Sequence, residues 1–364
     1  MRRKLRIILA VLTFAVCFTG CGNKEDEAAA NIPAAEATQA EETVEEETEE
    51  DIIPEGMYRS ELTNELISEE LKNQRPIAVM VDNEKTALPH YGISQADVVY
   101  ELMNSTKNDR ITRLMVLVKD WGSIEQLGSI RSLRPTNILL AAEWNAVICH
   151  DGGPFYNDQY LTKDYSDNFS GTFSRVNNGK AWEFTEYILS GDLEKNFTNT
   201  GYSREYNEHY SGPHYQFATE NNQVDFSDIE TALDADTVIL PFKHNGSYLE
   251  YDQETGLYNY FEYGSAHVDA GNNNQQTAFK NVLIQNCTFN QLDENGYMIF
   301  NCIDSGRLGY YITNGKAIMV SWRKTTETDI TRYFDAEGNE ITLNTGKTYV
   351  AFVPDDNWQD LLIK

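Results

Sequence analysis

Apolar residues follow three regimes along this chain. Residues 5–18 form a mostly apolar stretch that overlaps a basic start at Arg2, Arg3, Lys4 and Arg6. It is shorter than the ~20 apolar residues that a permanent membrane-spanning helix needs. Residues 23–53 hold almost no large apolar side chain, being mostly Glu, Ala, Thr and Asp. Such a segment buries too little surface to offset its ordering entropy. From about residue 57, short apolar runs alternate with turn-rich links to the end of the chain.

The first half of that body predicts strands and helices in alternation. Continuous apolar runs at 77–81, 97–103, 113–118 and 146–150 suit strands covered on both faces. A short helix is expected from Ser68, with Glu69 and Glu70 in its first turn, and a longer one over 134–144 with Pro135 near its start. Another is expected near 180–189. Tyr202, Tyr206 and Tyr210 recur at a spacing that suits one helical face. From about Thr237 the pattern turns to β, with runs at 237–243, 247–252, 257–263, 280–287, 297–303 and 347–353. The sharpest hairpin signal is Asn314-Gly315, two residues that accept positive φ, between 310–313 and 316–322. The expected fold is α+β. It comprises an N-terminal mixed α/β sheet domain (57–200), a linking segment (201–236) and a mostly antiparallel β-rich C-terminal domain (237–364).

Charge sharpens this division. The net charge is −28, from 29 Lys plus Arg against 57 Asp plus Glu. Residues 1–21 contain four bases and no acid, and residues 22–55 contain thirteen acids and Lys24 alone. So acidic a body excludes general nucleic-acid binding, because phosphate affinity comes from Lys and Arg. The start reads as a signal peptide (1–21) ending in Phe18-Thr19-Gly20-Cys21, with Cys21 the expected lipidation site. Residues 22–56 read as an acidic tether. The protein is expected on the extracytoplasmic face of the cell membrane, held there by its N-terminal lipid only.

Against the acidic background, residues 110–134 carry five basic and two acidic side chains. Arg113, Arg131 and Arg134, with Asp82 and Asn83 at the end of an apolar run, are candidates for an anion-binding rim. Structural ion pairs with surplus carboxylates are the bland alternative. His150 and Asp151, before Gly152-Gly153, are candidate acid/base groups. His267 and Asp269 lie two apart, on one side of an extended segment, where they could pair by a hydrogen bond. No metal-ligand spacing, phosphate loop or Gly-x-Ser-x-Gly occurs, so no metal or cofactor is expected. Cys149 reads as a buried thiol, and Cys287 and Cys302 as a pair able to bridge in an oxidising setting.

An ordered series of segments resembles the YerB-like lipoproteins. It runs through residues 75–83 (Arg-Pro-Ile-Ala-Val-Met-Val-Asp-Asn), 94–101 (Ser-Gln-Ala-Asp-Val-Val-Tyr-Glu), 111–115 and 130–134, then His150 and Gly152-Gly153. It continues through 267–269, 281–285, 322–324 and 346–348, so the resemblance covers about residues 57–354. It implies a lipid-anchored, two-domain extracytoplasmic protein whose domains have no assigned reaction. Two places depart from the family pattern. Asn108-Asp109-Arg110 stands where Gly-Gly is expected, and Trp182-Glu183-Phe184 where Pro-His-Asn is expected. The function expected is therefore that of a cell-envelope binding or scaffold protein, with a cell-wall polymer or envelope protein as partner. The alternative is an envelope hydrolase or transferase using His150 and Asp151.

Overall fold

The apolar runs of both halves assemble into one eleven-stranded sheet. The computed structural model describes residues 53–219 and 221–364. The strands are β1 (Ile77–Asp82), β2 (Val98–Met103), β3 (Thr112–Val118), β4 (Val147–His150), β5 (Asn168–Ser170), β6 (Leu233–Asp234), β7 (Asn281–Cys287), β8 (Asp304–Thr313), β9 (Lys316–Lys324), β10 (Arg332–Phe334) and β11 (Thr348–Pro354). Across the sheet they run β6-β9-β8-β7-β11-β2-β3-β1-β4-β5, with β10 also beside β9. The central strands β1, β2, β3, β7 and β11 are buried at every position, as their largely apolar runs require, with polar members such as Glu101, Arg113, Asn281 and Gln285 buried among them.

Alternate residues of these strands feed two cores, one on each face. One face takes Val79, Val99, Val116, Ile284 and Ala351. It is covered by Leu193 and Phe197 of a helix at Asp192–Thr200 and by Val238, Leu249, Tyr258 and Phe279. Those last residues belong to a second, six-stranded sheet. The other face takes Met80, Tyr100, Met115, Leu283 and Phe352, covered by Ile138, Leu139 and Ala142 of a helix at Pro135–Glu143. Pro135 opens that helix, and the Asn137 side chain accepts from the Arg134 amide at 3.0 Å, capping it.

Most of the expected strands form within a residue or two of their expected bounds. The 314–315 hairpin forms with φ of 50° at Asn314 and 74° at Gly315. Four expectations change. The architecture is sheet-rich with few helices: in the first half β1 and β2 both pair antiparallel with β3, and only β1–β4 and β4–β5 pair in parallel. The halves also share their sheet, because β2 and β11 pair in parallel with Val99 opposite Tyr349. Residues 180–189 form a short turn and the strand Glu186–Leu189 instead of a helix, because Tyr187 and Ile188 pair with the 126–128 strand. The 202–210 tyrosines lie beyond a helix that stops at Gly201, whose φ is 72°. There Tyr206 and Tyr210 stack on each other at 3.8 Å. The helix at 192–200 escapes a periodicity reading because only Leu193 and Phe197 mark its apolar face. Cys149, Cys287 and Cys302 are buried free thiols, so the bridge considered for the last two is not formed. No helix among the described residues is long and apolar enough to cross a membrane. Cys21 lies outside the described residues.

Candidate functional site

Parallel pairing of β1 with β4 brings the C-terminal ends of both strands, Asp82 and His150, to one edge of the sheet. The antiparallel neighbour β3 starts at the same edge, which sets Arg113 directly opposite Asp82. The segment 129–134 crosses over this edge. Its backbone is pinned by Asp82 N–H donating to Ser129 O at 2.9 Å and by Arg131 N–H donating to Met80 O at 2.8 Å.

Three guanidinium groups converge here. Arg131 Nε sits 2.7 Å from Asp82 Oδ2, and Arg113 lies 3.8 Å from Asp82 Oδ1. Arg113 donates to Ser132 O at 2.7 Å and to Ser132 Oγ at 3.0 Å. Arg134 donates to the same Ser132 Oγ at 3.1 Å, to Leu133 O and to Asn104 O, and covers the Tyr297 ring at 4.8 Å. Among the described residues Arg134 has no carboxylate within ion-pair distance. Burial and the neighbouring Arg113 push its pKa down to about 9. Arg113 and Arg134 are buried, while the Arg131 side chain is 23% exposed and reaches outward to Glu183 at 3.0 Å.

The remaining candidates divide differently than expected. Asn83 follows Asp82 but turns to the other side, donating to Glu101 Oε1 at 3.3 Å and Thr112 Oγ1 at 2.9 Å inside the core. The His150 ring is occupied on both sides, by Gly152 O at 2.8 Å and Asn168 Oδ1 at 3.2 Å, and burial lowers its pKa. Asp151 pairs with Arg175 at 2.7 Å, so no bonded His150–Asp151 dyad forms. His267 and Asp269 do not bond to each other. Asp269 accepts from Gly92 N, Ser94 N and Ser94 Oγ at 2.6–2.9 Å. His267 instead faces His90.

Beneath the arginine edge lies a polar cluster that residue spacing does not reveal. Glu101 of β2 is fully buried. Its oxygens accept from Thr112, Asn83, Asn245, Ser247, Tyr260 and Tyr349, all neutral donors. Asn245 also donates to Glu262 at 3.2 Å, and burial beside Glu101 holds the Glu262 carboxyl well above the usual carboxylate range. Next to it, His90 Nδ1 and His267 Nε2 stand 2.8 Å apart. His90 Nε2–H donates to Asp82 O at 2.6 Å, which couples the cluster to the arginine edge. His90, Glu262 and His267 are three potential metal ligands, with ligand atoms all within 4.8 Å of one another. They come from residues up to 177 positions apart, and only the paired sheets bring them together. A second buried cluster ties Glu143 to His214 at 2.7 Å and to Lys324 at 3.2 Å.

Residues 62–203 match the domain described as "Protein of unknown function (DUF3048) N-terminal domain", and residues 238–350 match the corresponding C-terminal domain. The chain belongs to the YerB-like, DUF3048 family. A Bacillus subtilis (strain 168) member named as a lipoprotein, YerB, is 22% identical over 303 residues, 82% of this chain and 86% of that one. The crystal structure of the YerB protein from Bacillus subtilis superimposes with a TM-score of 0.71 at 21% identity, covering 84% of this chain and 99% of that one. At this identity the likeness establishes the family fold. The family match takes in the whole arginine edge and both strands that carry the buried cluster, so both features sit in the family's domains rather than in an appended segment.

Proposed function

We propose that this protein is a lipid-anchored, extracytoplasmic binding protein of the cell envelope. In this reading its arginine edge receives an anionic group on a cell-wall polymer or envelope protein. The lipoprotein name of its relative and the Cys21 motif support the anchor. The observation that carries the binding reading is the gathering of Arg113, Arg131 and Arg134 at one edge, where Asp82 faces Arg113 and Arg131 and Ser132 joins Arg113 to Arg134. Among the described residues Arg134 has no carboxylate within ion-pair distance, so one guanidinium of this edge is not directly paired in a chain whose net charge is −28. Arg113 and Arg134 are held by backbone carbonyls and Ser132, so they act as a fixed positive base. Arg131 is the group that reaches solvent, and its outer partner Glu183 is half-exposed and free to swing aside. Beside it, Arg175 lies 4.3 Å over the ring of Trp182, which is 72% exposed and offers a flat face to a sugar or aromatic group. The engaged His150 ring and the Asp151–Arg175 pair favour binding over acid/base catalysis.

The test is co-sedimentation of the detergent-extracted protein with purified cell-wall material. Wild type pelleting with the wall, with retention reduced several-fold in Arg131→Ala and by added salt, supports the reading. Equal retention of wild type and Arg131→Ala sinks it.

A further inference from the structure

The buried His90–Glu262–His267 cluster has the parts of a metal site. Its ligand atoms converge within 4.8 Å, and each outer atom is already engaged. His90 Nε2–H donates to Asp82 O, His267 Nδ1 meets Thr277 Oγ1 at 2.8 Å, and Glu262 Oε2 accepts from Asn245. That is the arrangement by which second-layer groups orient metal-binding imidazoles. The inner atoms face one another. Glu262 Oε1 is buried without a hydrogen-bond partner and lies 3.6 Å from His267 Nε2.

Charge and placement agree with this reading. Glu101 and Glu262 share one buried cluster, and among the described residues neither is within ion-pair distance of a Lys or Arg. A dication at Glu262 would offset both carboxylates. The backbone holds the ligands in place: Ala270 N–H donates to His90 O at 2.9 Å, and His267 N–H to Tyr260 O at 3.1 Å. We propose that His90 Nδ1, His267 Nε2 and Glu262 Oε1 bind one borderline-soft divalent cation of the Zn²⁺ type, which clamps the 83–94 loop to the C-terminal strands.

Two nitrogens and one carboxylate oxygen suit Zn²⁺ better than Mg²⁺ or Ca²⁺, which take oxygen ligands. Without metal, a hydrogen shared between the two imidazoles accounts for the 2.8 Å contact. Tetrahedral Zn–N bonds near 2.05 Å would open that distance to about 3.3 Å. The shift is small, and it requires His267 to carry its hydrogen on Nδ1, facing Thr277. Three protein ligands leave the fourth tetrahedral position to a water, and burial of all three ligands points to a structural role.

The experiment is to strip the detergent-extracted full chain with a chelator, titrate it with Zn²⁺ alone, and measure bound metal and thermal midpoint. Expected is about one Zn²⁺ per chain with a raised midpoint, no comparable effect of Mg²⁺, and binding at least ~10-fold weaker in Glu262→Gln and His267→Gln. His209→Gln, outside the cluster, should bind as wild type does. Wild type that takes up no stoichiometric Zn²⁺, or variants that bind it as tightly as wild type, overturn the proposal. Should both variants fail to fold, Co²⁺ added to wild type decides. A tetrahedral visible spectrum supports the site, and its absence refutes it.

Discussion

Replacing Lys324 with Met should destabilise the protein by about 3–5 kcal/mol at pH 7, the usual cost of removing one partner from a buried ion pair. Lys324 and Glu143 are both fully buried, 3.2 Å apart. Glu143 ends the helix that covers one face of the sheet, so the pair links that helix to β9. Its oxygens also accept from Thr331 N at 3.0 Å, Thr331 Oγ1 at 2.9 Å and His214 Nε2 at 2.7 Å. Burial alone would raise the Glu143 pKa, yet Lys324 and His214 hold it down to about 2 from a usual 4.5. A difference of that size favours the ionised form by about 3 kcal/mol, in line with the range above. Because the folded pKa lies below the unfolded one, this stability is fully present above pH 4.5. It is lost as pH falls through the window from 4.5 toward 2. The assay is urea unfolding followed by tryptophan fluorescence at pH 7 and pH 3, for wild type, Lys324→Met, Glu143→Leu and the double variant. Wild type should lose more stability between the two pH values than Lys324→Met does, and the double variant should recover most of the single-variant loss. A loss under ~1 kcal/mol in Lys324→Met at pH 7, or additive single and double losses, would refute the argument.

Other consequences can be checked separately. Tyr349→Phe removes a 2.5 Å hydrogen bond to buried Glu101 and should cost about 1.5–3 kcal/mol in the same unfolding assay, with the fold retained by circular dichroism. Gly315→Ala places a Cβ 3.0 Å from the Tyr251 ring at a φ of 74°, and should lower stability by roughly 1–2 kcal/mol, whereas Asn314→Gly is tolerated. Cys21→Ala should move the protein from the membrane fraction to the soluble or secreted fraction, as read by fractionation and by mass spectrometry of the N-terminal peptide. A variant that stays in the membrane would contradict lipid anchoring through Cys21.

Local order was legible in the chain where one regime ruled a whole segment. Runs such as 77–81 and 114–118 contain no polar residue to expose, so they had to become covered strands, and Asn314-Gly315 carries its own turn geometry. The arginine concentration at 110–134 was also visible, because it stands out against an acidic body. Individual side-chain directions were not visible. Asp82 and Asn83 are neighbours in sequence, but the pleat sends one to the arginine edge and the other into the Glu101 cluster. His267 and Asp269 share a side, yet each bonds to the 90–94 segment instead of to the other.

The amino-acid sequence by itself determined the division into an apolar start, an acidic segment and a body of short strands, because these are differences of composition over short windows. Tertiary structure alone decided that the two halves share one sheet through β2 and β11, and that His90, Glu262 and His267 meet. Those outcomes depend on which strand edges pair, and pairing joins residues far apart in the chain through backbone hydrogen bonds that every residue type can make.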